Sequence, residues 1–140
     1  MHRDIKPFNV LINPQTKTLK IIDFGLAEFY FPEKENNTHV ASLYYKSPEL
    51  FFSNSNYDYR VDVWSAGLIL AGMVWILIIQ IFNRTPFLHG TDNIDQIVKI
   101  TKLVGTREVV KYIKENKLTE KKGHKKENIC FDLLIAFENG

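Results

Sequence analysis

His2-Arg3-Asp4-Ile5-Lys6-Pro7-Phe8-Asn9, followed two short apolar runs later by Asp23-Phe24-Gly25, is the stretch on which the reading of this chain turns. Its residue types supply two carboxylates, a cation and an amide oxygen, a set that phosphate chemistry can use. Phosphoryl transfer asks little covalent work of a protein; it needs positioning and neutralisation of charge. Asp4 offers a carboxylate to accept a hydroxyl proton, and Lys6 a cation beside the transferring phosphate. Asn9 and Asp23 offer two hard oxygen donors of the kind Mg2+ shares with substrate phosphates.

Around these residues the chain alternates turn chemistry with apolar runs. Residues 1–9, with Pro7 among them, read as irregular loop. Val10-Leu11-Ile12 and Leu19-Lys20-Ile21-Ile22 flank Asn13-Pro14-Gln15-Thr16-Lys17-Thr18, which predicts a β-hairpin. Asp23 then stands at a strand end, where it can face a ligand. Residues 24–49 read mostly as loop, closed by Pro48-Glu49. A long apolar helix is expected from residue 61 to about 82, and a second over 92–103, where Ile94, Ile97, Val98 and Ile100 share one face. Gly105 is a stop signal, and a third helix is expected over 107–115.

Composition narrows the classes. A hydrophobic content of 45% excludes global disorder, and a net charge of +2 is too small to argue for nucleic acid. The basic stretch 111–126 contains Glu115 and Glu120 and reads as a solvated face or tail. The single cysteine, Cys130, excludes an intrachain disulfide, fits a reducing compartment and has no metal-ligand partner at usual spacing. The charged start carries no apolar signal-peptide core.

The ordered set His-Arg-Asp-x-Lys-x-x-Asn and Asp-Phe-Gly resembles the catalytic loop and metal-binding turn of protein kinases. Several further segments resemble the casein kinase II catalytic (alpha) subunit. They are residues 23–30, Val40-Ala41-Ser42-Leu43-Tyr44-Tyr45-Lys46-Ser47-Pro48-Glu49, Tyr57-Asp58-Tyr59, Asp62-Val63-Trp64-Ser65-Ala66-Gly67, and residues 86–93. Many short motifs in the right order are far more specific than any one of them. The resemblance covers about residues 1–118.

That resemblance implies a mainly α fold: the C-terminal lobe of the kinase fold, with a short β-hairpin carrying the catalytic and metal-binding loops. Residues 1–118 would be a partial kinase domain and 119–140 a tail. It implies ATP and Mg2+ as cofactors and transfer of phosphate to serine or threonine of protein substrates. Asp4 would be the catalytic base, Lys6 the phosphate-side cation, and Asn9 and Asp23 the metal ligands. Leu11 and Ile22 would line the adenine pocket. Ser42 would bond near Asp4 and Lys6. His2 and Phe24 would stack in an internal column, Asp62 would hold the catalytic-loop backbone, and Arg3 and Trp64 would be structural. Glu49 would pair with an arginine far downstream. The family favours acidic substrates, read partly by basic residues before Pro-Glu. Lys46 keeps one of these, whereas His39 and Leu43 stand where arginine is usual, which weakens the acidic preference.

Neither the glycine-rich loop nor the strand lysine of a kinase occurs in the 140 residues. The N-terminal lobe is therefore absent from them, and the expectation is a fragment, inactive alone, whose gene continues upstream. The family's regulatory beta subunit docks mainly on that other lobe and is not expected here. An intracellular site, cytoplasm or nucleus, follows from the resemblance. A truncated pseudokinase acting as an interaction module is the alternative. A second is a fragment attached to membrane through residues 65–82, against which the apolar run reads as the buried central helix of the lobe. That helix is also too long for the family. Removing residues 74–80 restores the family spacing, and their codons can open with GT and close with AG, so a translated short intron is expected. If real, the insert adds about 10.5 Å of helix and exposes Trp75, Ile76 and Ile79.

Overall fold

The computed structural model describes residues 1–79 and 86–118. Their architecture is mostly helical, with one two-stranded sheet. The hairpin forms as the turn chemistry predicts. Strands β1 (Val10–Asn13) and β2 (Thr18–Ile21) pair antiparallel, with Val10 opposite Ile21 and Asn13 opposite Thr18. Asn13 Oδ1 closes the turn by accepting from Gln15 N at 3.0 Å and Thr16 N at 3.1 Å. Nearly all of the hairpin is exposed.

Four α-helices follow among the described residues. The short α1 (Pro48–Phe51) has Pro48 in its first turn, where a missing N–H costs nothing. It falls where the sequence suggested the end of a loop. The long α2 spans Arg60–Ile79, and the rest of its expected length lies outside the described residues. Helix α3 (Asn93–Val104) is capped by Asp92, whose Oδ1 accepts from Asp95 N at 2.9 Å. It ends at Gly105, where φ is +105°, a region that favours glycine. Helix α4 (Thr106–Glu115) follows at once.

The core is built from α1, α3 and α4. Phe51, Phe52, Ile97, Ile100, Val109, Ile113 and Leu118 form one buried cluster, edged by Leu43, Trp64 and Tyr112. A smaller cluster of Val40, Leu50, Tyr57 and Val61 ties the segment before α1 to the start of α2. Gln96 is fully buried beside the first cluster. Its Oε1 accepts from Gly90 N at 2.6 Å and its Nε2 donates to Leu88 O at 3.3 Å. This holds the 86–92 loop against α3.

The reading of α2 as a helix buried on all sides needs correction. Val61, Ser65 and Leu68 are buried, but Val63, Leu70, Met73, Val74 and Trp75 are exposed. Nothing among the described residues covers that side, although the sequence is apolar all round. Trp75 touches only an edge, at 5.7 Å from the Phe87 ring. The side chains of residues 76–79 and the rest of the expected insert lie outside the described residues. No described helix is long and apolar enough to cross a membrane.

Candidate active site

The loop 1–9 is fixed from below by α2. Asp62 Oδ2 accepts from His2 N and Oδ1 from Arg3 N, both at 2.7 Å. The clamp sits where the backbone most needs it, because Arg3 has φ +67°, which a side chain makes costly. Arg3 is held again by its own side chain: Nε donates to Leu26 O at 2.7 Å, and Nη1 lies 3.1 Å from Tyr57 Oη. The Tyr57 hydroxyl in turn donates to Asn37 O. The sequence reading missed this role of Tyr57; a tyrosine between Asn56 and Asp58 gives no sign of its bonding partner.

His2 links the loop to the hairpin. Ile22 O can only accept, so the 3.0 Å contact assigns the proton to His2 Nε2. Nδ1 is then free to accept from Asp4 N at 3.2 Å. The Phe24 ring meets the imidazole edge-on, with centroids 4.9 Å apart. Two long-range contacts thus set the position of Asp4 before its own side chain bonds.

Asp4 is the hub of the site, only 8% exposed. Its Oδ2 takes Lys6 Nζ at 2.6 Å. Its Oδ1 takes Ser42 Oγ at 2.9 Å and Ser42 N at 3.1 Å. Lys6 Nζ also reaches Ser42 Oγ at 3.2 Å, closing a triangle. Asn9 Nδ2 donates to Asp4 O at 2.9 Å. Burial pushes the Asp4 carboxyl up. The Lys6 and Ser42 hydrogen bonds, the Lys6 charge and the Ser42 N–H together outweigh it and hold the group below its ordinary 3.8.

Asn9 and Asp23 stand at the same end of the hairpin. The register Val10 to Ile21 and the bond from Ile22 N to Asn9 O at 3.0 Å place them there. Asn9 is buried, and its amide nitrogen is committed to Asp4, which leaves Oδ1 as an acceptor. Asp23 is exposed in a left-handed conformation, with φ +65° and ψ +71°. Its Oδ1 accepts only weakly, from Gly25 N at 3.4 Å. Two neutral-to-anionic oxygen donors fit Mg2+, which keeps waters and shares phosphate oxygens rather than filling its shell from protein. Among the described residues no group of three or more histidine, cysteine or acidic side chains could hold a metal.

Other singled-out residues fall around this hub or away from it. Leu11 and Ile22 are exposed beside the hairpin end. Ser42 follows Ala41, another left-handed residue at φ +66°. The tight turn Leu43–Tyr45 comes next, and Tyr45 O is held by Ser65 Oγ of α2 at 2.7 Å. Leu43 packs on the main core. Lys46 lies 5.4 Å above the Phe51 ring, and burial lowers its pKa. His39 is exposed, and no described contact brings its ring to Asp4. Glu49 Oε2 and Trp64 Nε1 are buried without a hydrogen-bond partner among the described residues. Both face grooves that border α2 and α4. No arginine follows Arg107 in the sequence.

The site thus brings together a carboxylate fixed by a cation, a hydroxyl and a clamped backbone, with two oxygen donors on an adjoining turn. The chain belongs to the protein kinase family: the protein kinase domain matches residues 1–135. Within that family it is similar to the "Probable casein kinase II subunit alpha homolog" of Encephalitozoon cuniculi (strain GB-M1). The two are 48% identical over 118 residues, which is 84% of this chain and 35% of that protein. The chain therefore spans about a third of the length of the relative that it matches.

Proposed function

We propose that these residues form the C-terminal-lobe part of an ATP-dependent serine/threonine protein kinase of casein kinase II type. The observation that carries the reading is the Asp4 hub: one buried carboxylate bonded at once to Lys6 and Ser42 and backed by Asn9. Asp4 orients a substrate hydroxyl and accepts its proton as the phosphate is transferred. Lys6, two residues on, offsets charge on the moving phosphoryl group. Ser42 holds Asp4 and Lys6 in register. Asn9 Oδ1 and Asp23 hold Mg2+, which when bound neutralises phosphate charge. Leu11 and Ile22 offer an apolar floor to the adenine base.

Protein substrates would pass over residues 39–46. Lys46 supplies a half-buried cation there, whereas Leu43 is spent on the core. A neutral side chain at that place cannot neutralise a substrate carboxylate, so the acidic preference is reduced. The 140 residues by themselves transfer phosphate negligibly, because they contain neither motif that covers the phosphates and desolvates them.

Radiolabelled ATP with Mg2+ and a serine peptide flanked by acids tests both statements. The 140-residue chain should give only background. The product of the full transcript should transfer phosphate and lose about 10²- to 10⁴-fold in rate with Asp4→Asn. Transfer by the full product that survives Asp4→Asn would remove Asp4 from its role. Robust transfer by the 140-residue chain, abolished by Asp23→Ala, would show that no further lobe is needed.

A further inference from the structure

Phe8 is the most exposed large apolar side chain among the described residues, at 86%. No ring or cation among them stacks on it. A lone exposed phenylalanine needs no explanation in general. This one is carried on a fixed corner. The turn is closed by Asn9 N donating to Lys6 O at 2.9 Å, and Val10 N donates to Pro7 O. Both ends of the turn are tied to Asp4: Lys6 Nζ meets its Oδ2, and Asn9 Nδ2 its backbone oxygen. Pro7 restricts the backbone just before Phe8.

The Asp4 carboxylate thus has a wall on each side. Its Oδ1 meets Ser42, which leads into the turn Leu43–Tyr45. Its Oδ2 meets Lys6, which leads into the turn that carries Phe8. On the first wall Leu43 is spent on the core. A substrate hydroxyl that reaches Asp4 brings its neighbours with it. Two residues of extended chain span about 7 Å, and a closed turn such as Lys6–Asn9 is less than ~7 Å across. A residue beside the accepting one is therefore delivered to the Phe8 ring by the reaction itself. Neither a second copy of this chain nor a lipid surface is delivered there in that way. The ring sits on a backbone already ordered, so covering it with apolar surface loses little entropy. The adjoining Lys6 ammonium disfavours a cation in the same place.

We propose that Phe8 is a specificity-determining residue, which selects substrates with a large aliphatic or aromatic side chain one or two places from the accepting serine or threonine, on the side away from residues 43–46. The inference rests on the phosphotransfer reading above and adds to it a chemical class of substrate.

Phe8 is too exposed for its replacement to endanger folding. The full-transcript product is given radiolabelled ATP, Mg2+ and serine peptides with alanine, isoleucine, phenylalanine or lysine at each of the two positions on either side of the serine. At one of those positions isoleucine or phenylalanine should raise kcat/KM about tenfold over alanine. Phe8→Ala should bring that ratio near one, Phe8→Leu should restore most of it, and Phe8→Asp should turn it in favour of lysine. A ratio that survives Phe8→Ala, or no apolar preference at any of the four positions, overturns the proposal. A second readout needs no transfer of phosphate. The same peptide with benzoylphenylalanine at each position in turn, irradiated with the 140-residue chain and mapped by mass spectrometry, should label residues 6–9 from one of them, and less so with Phe8→Ala. Such labelling without transfer by the full product removes the phosphotransfer reading and leaves the Phe8 contact standing. Labelling only elsewhere removes the Phe8 contact.

Discussion

Asp62 binds the backbone of His2 and Arg3 with its two carboxylate oxygens, both at 2.7 Å, across 60 and 59 residues of sequence. One side chain on α2 thereby sets the floor of the 1–9 loop and offsets the left-handed strain at Arg3.

Asp62→Ala removes both acceptors at once. Hydrogen bonds to a charged group contribute about 1.5–3 kcal/mol each, so the loss of two should cost about 3 kcal/mol or more on urea unfolding. Hydrogen exchange at the Arg3 amide should quicken more than at the α3 core. Unchanged protection of Arg3 would mean that the loop is held by something else.

Asp4 gives a pH dependence with a definite sign. Its folded pKa lies below the ordinary 3.8, so the ionised group contributes stability above that value. The contribution is lost as pH falls below 3.8 through the folded pKa. Lys6→Met removes the lysine hydrogen bond and charge, leaving burial less opposed. NMR titration of the Asp4 carboxyl should then move upward, and an unmoved titration would show that Lys6 does not hold it.

Gly90 has no room for a side chain. A Cβ there would stand 2.6 Å from Gln96 Cα and N and 2.5 Å from Gln96 Oε1. Gly90→Ala must push the loop off α3, at a cost of about 1–3 kcal/mol. Thermal unfolding reads this directly. A neutral result would mean that the 86–92 loop moves freely from Gln96.

Leu43 poses a trade between packing and recognition. Leu43→Arg in the full-transcript product should improve kcat/KM for acidic peptides about tenfold, the effect of one favourable charge contact of ~1.4 kcal/mol. It should also lower stability, since Leu43 edges the main core. Equal rates on acidic and neutral peptides would detach residue 43 from substrate reading.

Residues 74–80 make a prediction at the level of the gene. Sequencing the full-length transcript should show their codons spliced out and a coding segment upstream that contains a glycine-rich loop and a strand lysine. Codons that cannot supply GT at one end and AG at the other would sink the intron reading.

The sequence by itself determined what local chemistry can specify. Asn13 and its neighbours fixed the hairpin turn, Asp92 and Gly105 fixed the ends of α3, and ordered motifs fixed the family. The same motifs named Asp4, Lys6, Asn9 and Asp23 as a set. Tertiary structure alone decided how these are held. The Asp62 clamp and the Ser42–Asp4 bond join residues dozens of positions apart. Neither Tyr57 nor Ser65 advertises the carbonyl that it will meet. It alone also decided which sides of α2 are covered. A helix apolar on every face carries no periodic signal to separate core from surface. Burial there depends on which other elements arrive, not on the residues of the helix itself.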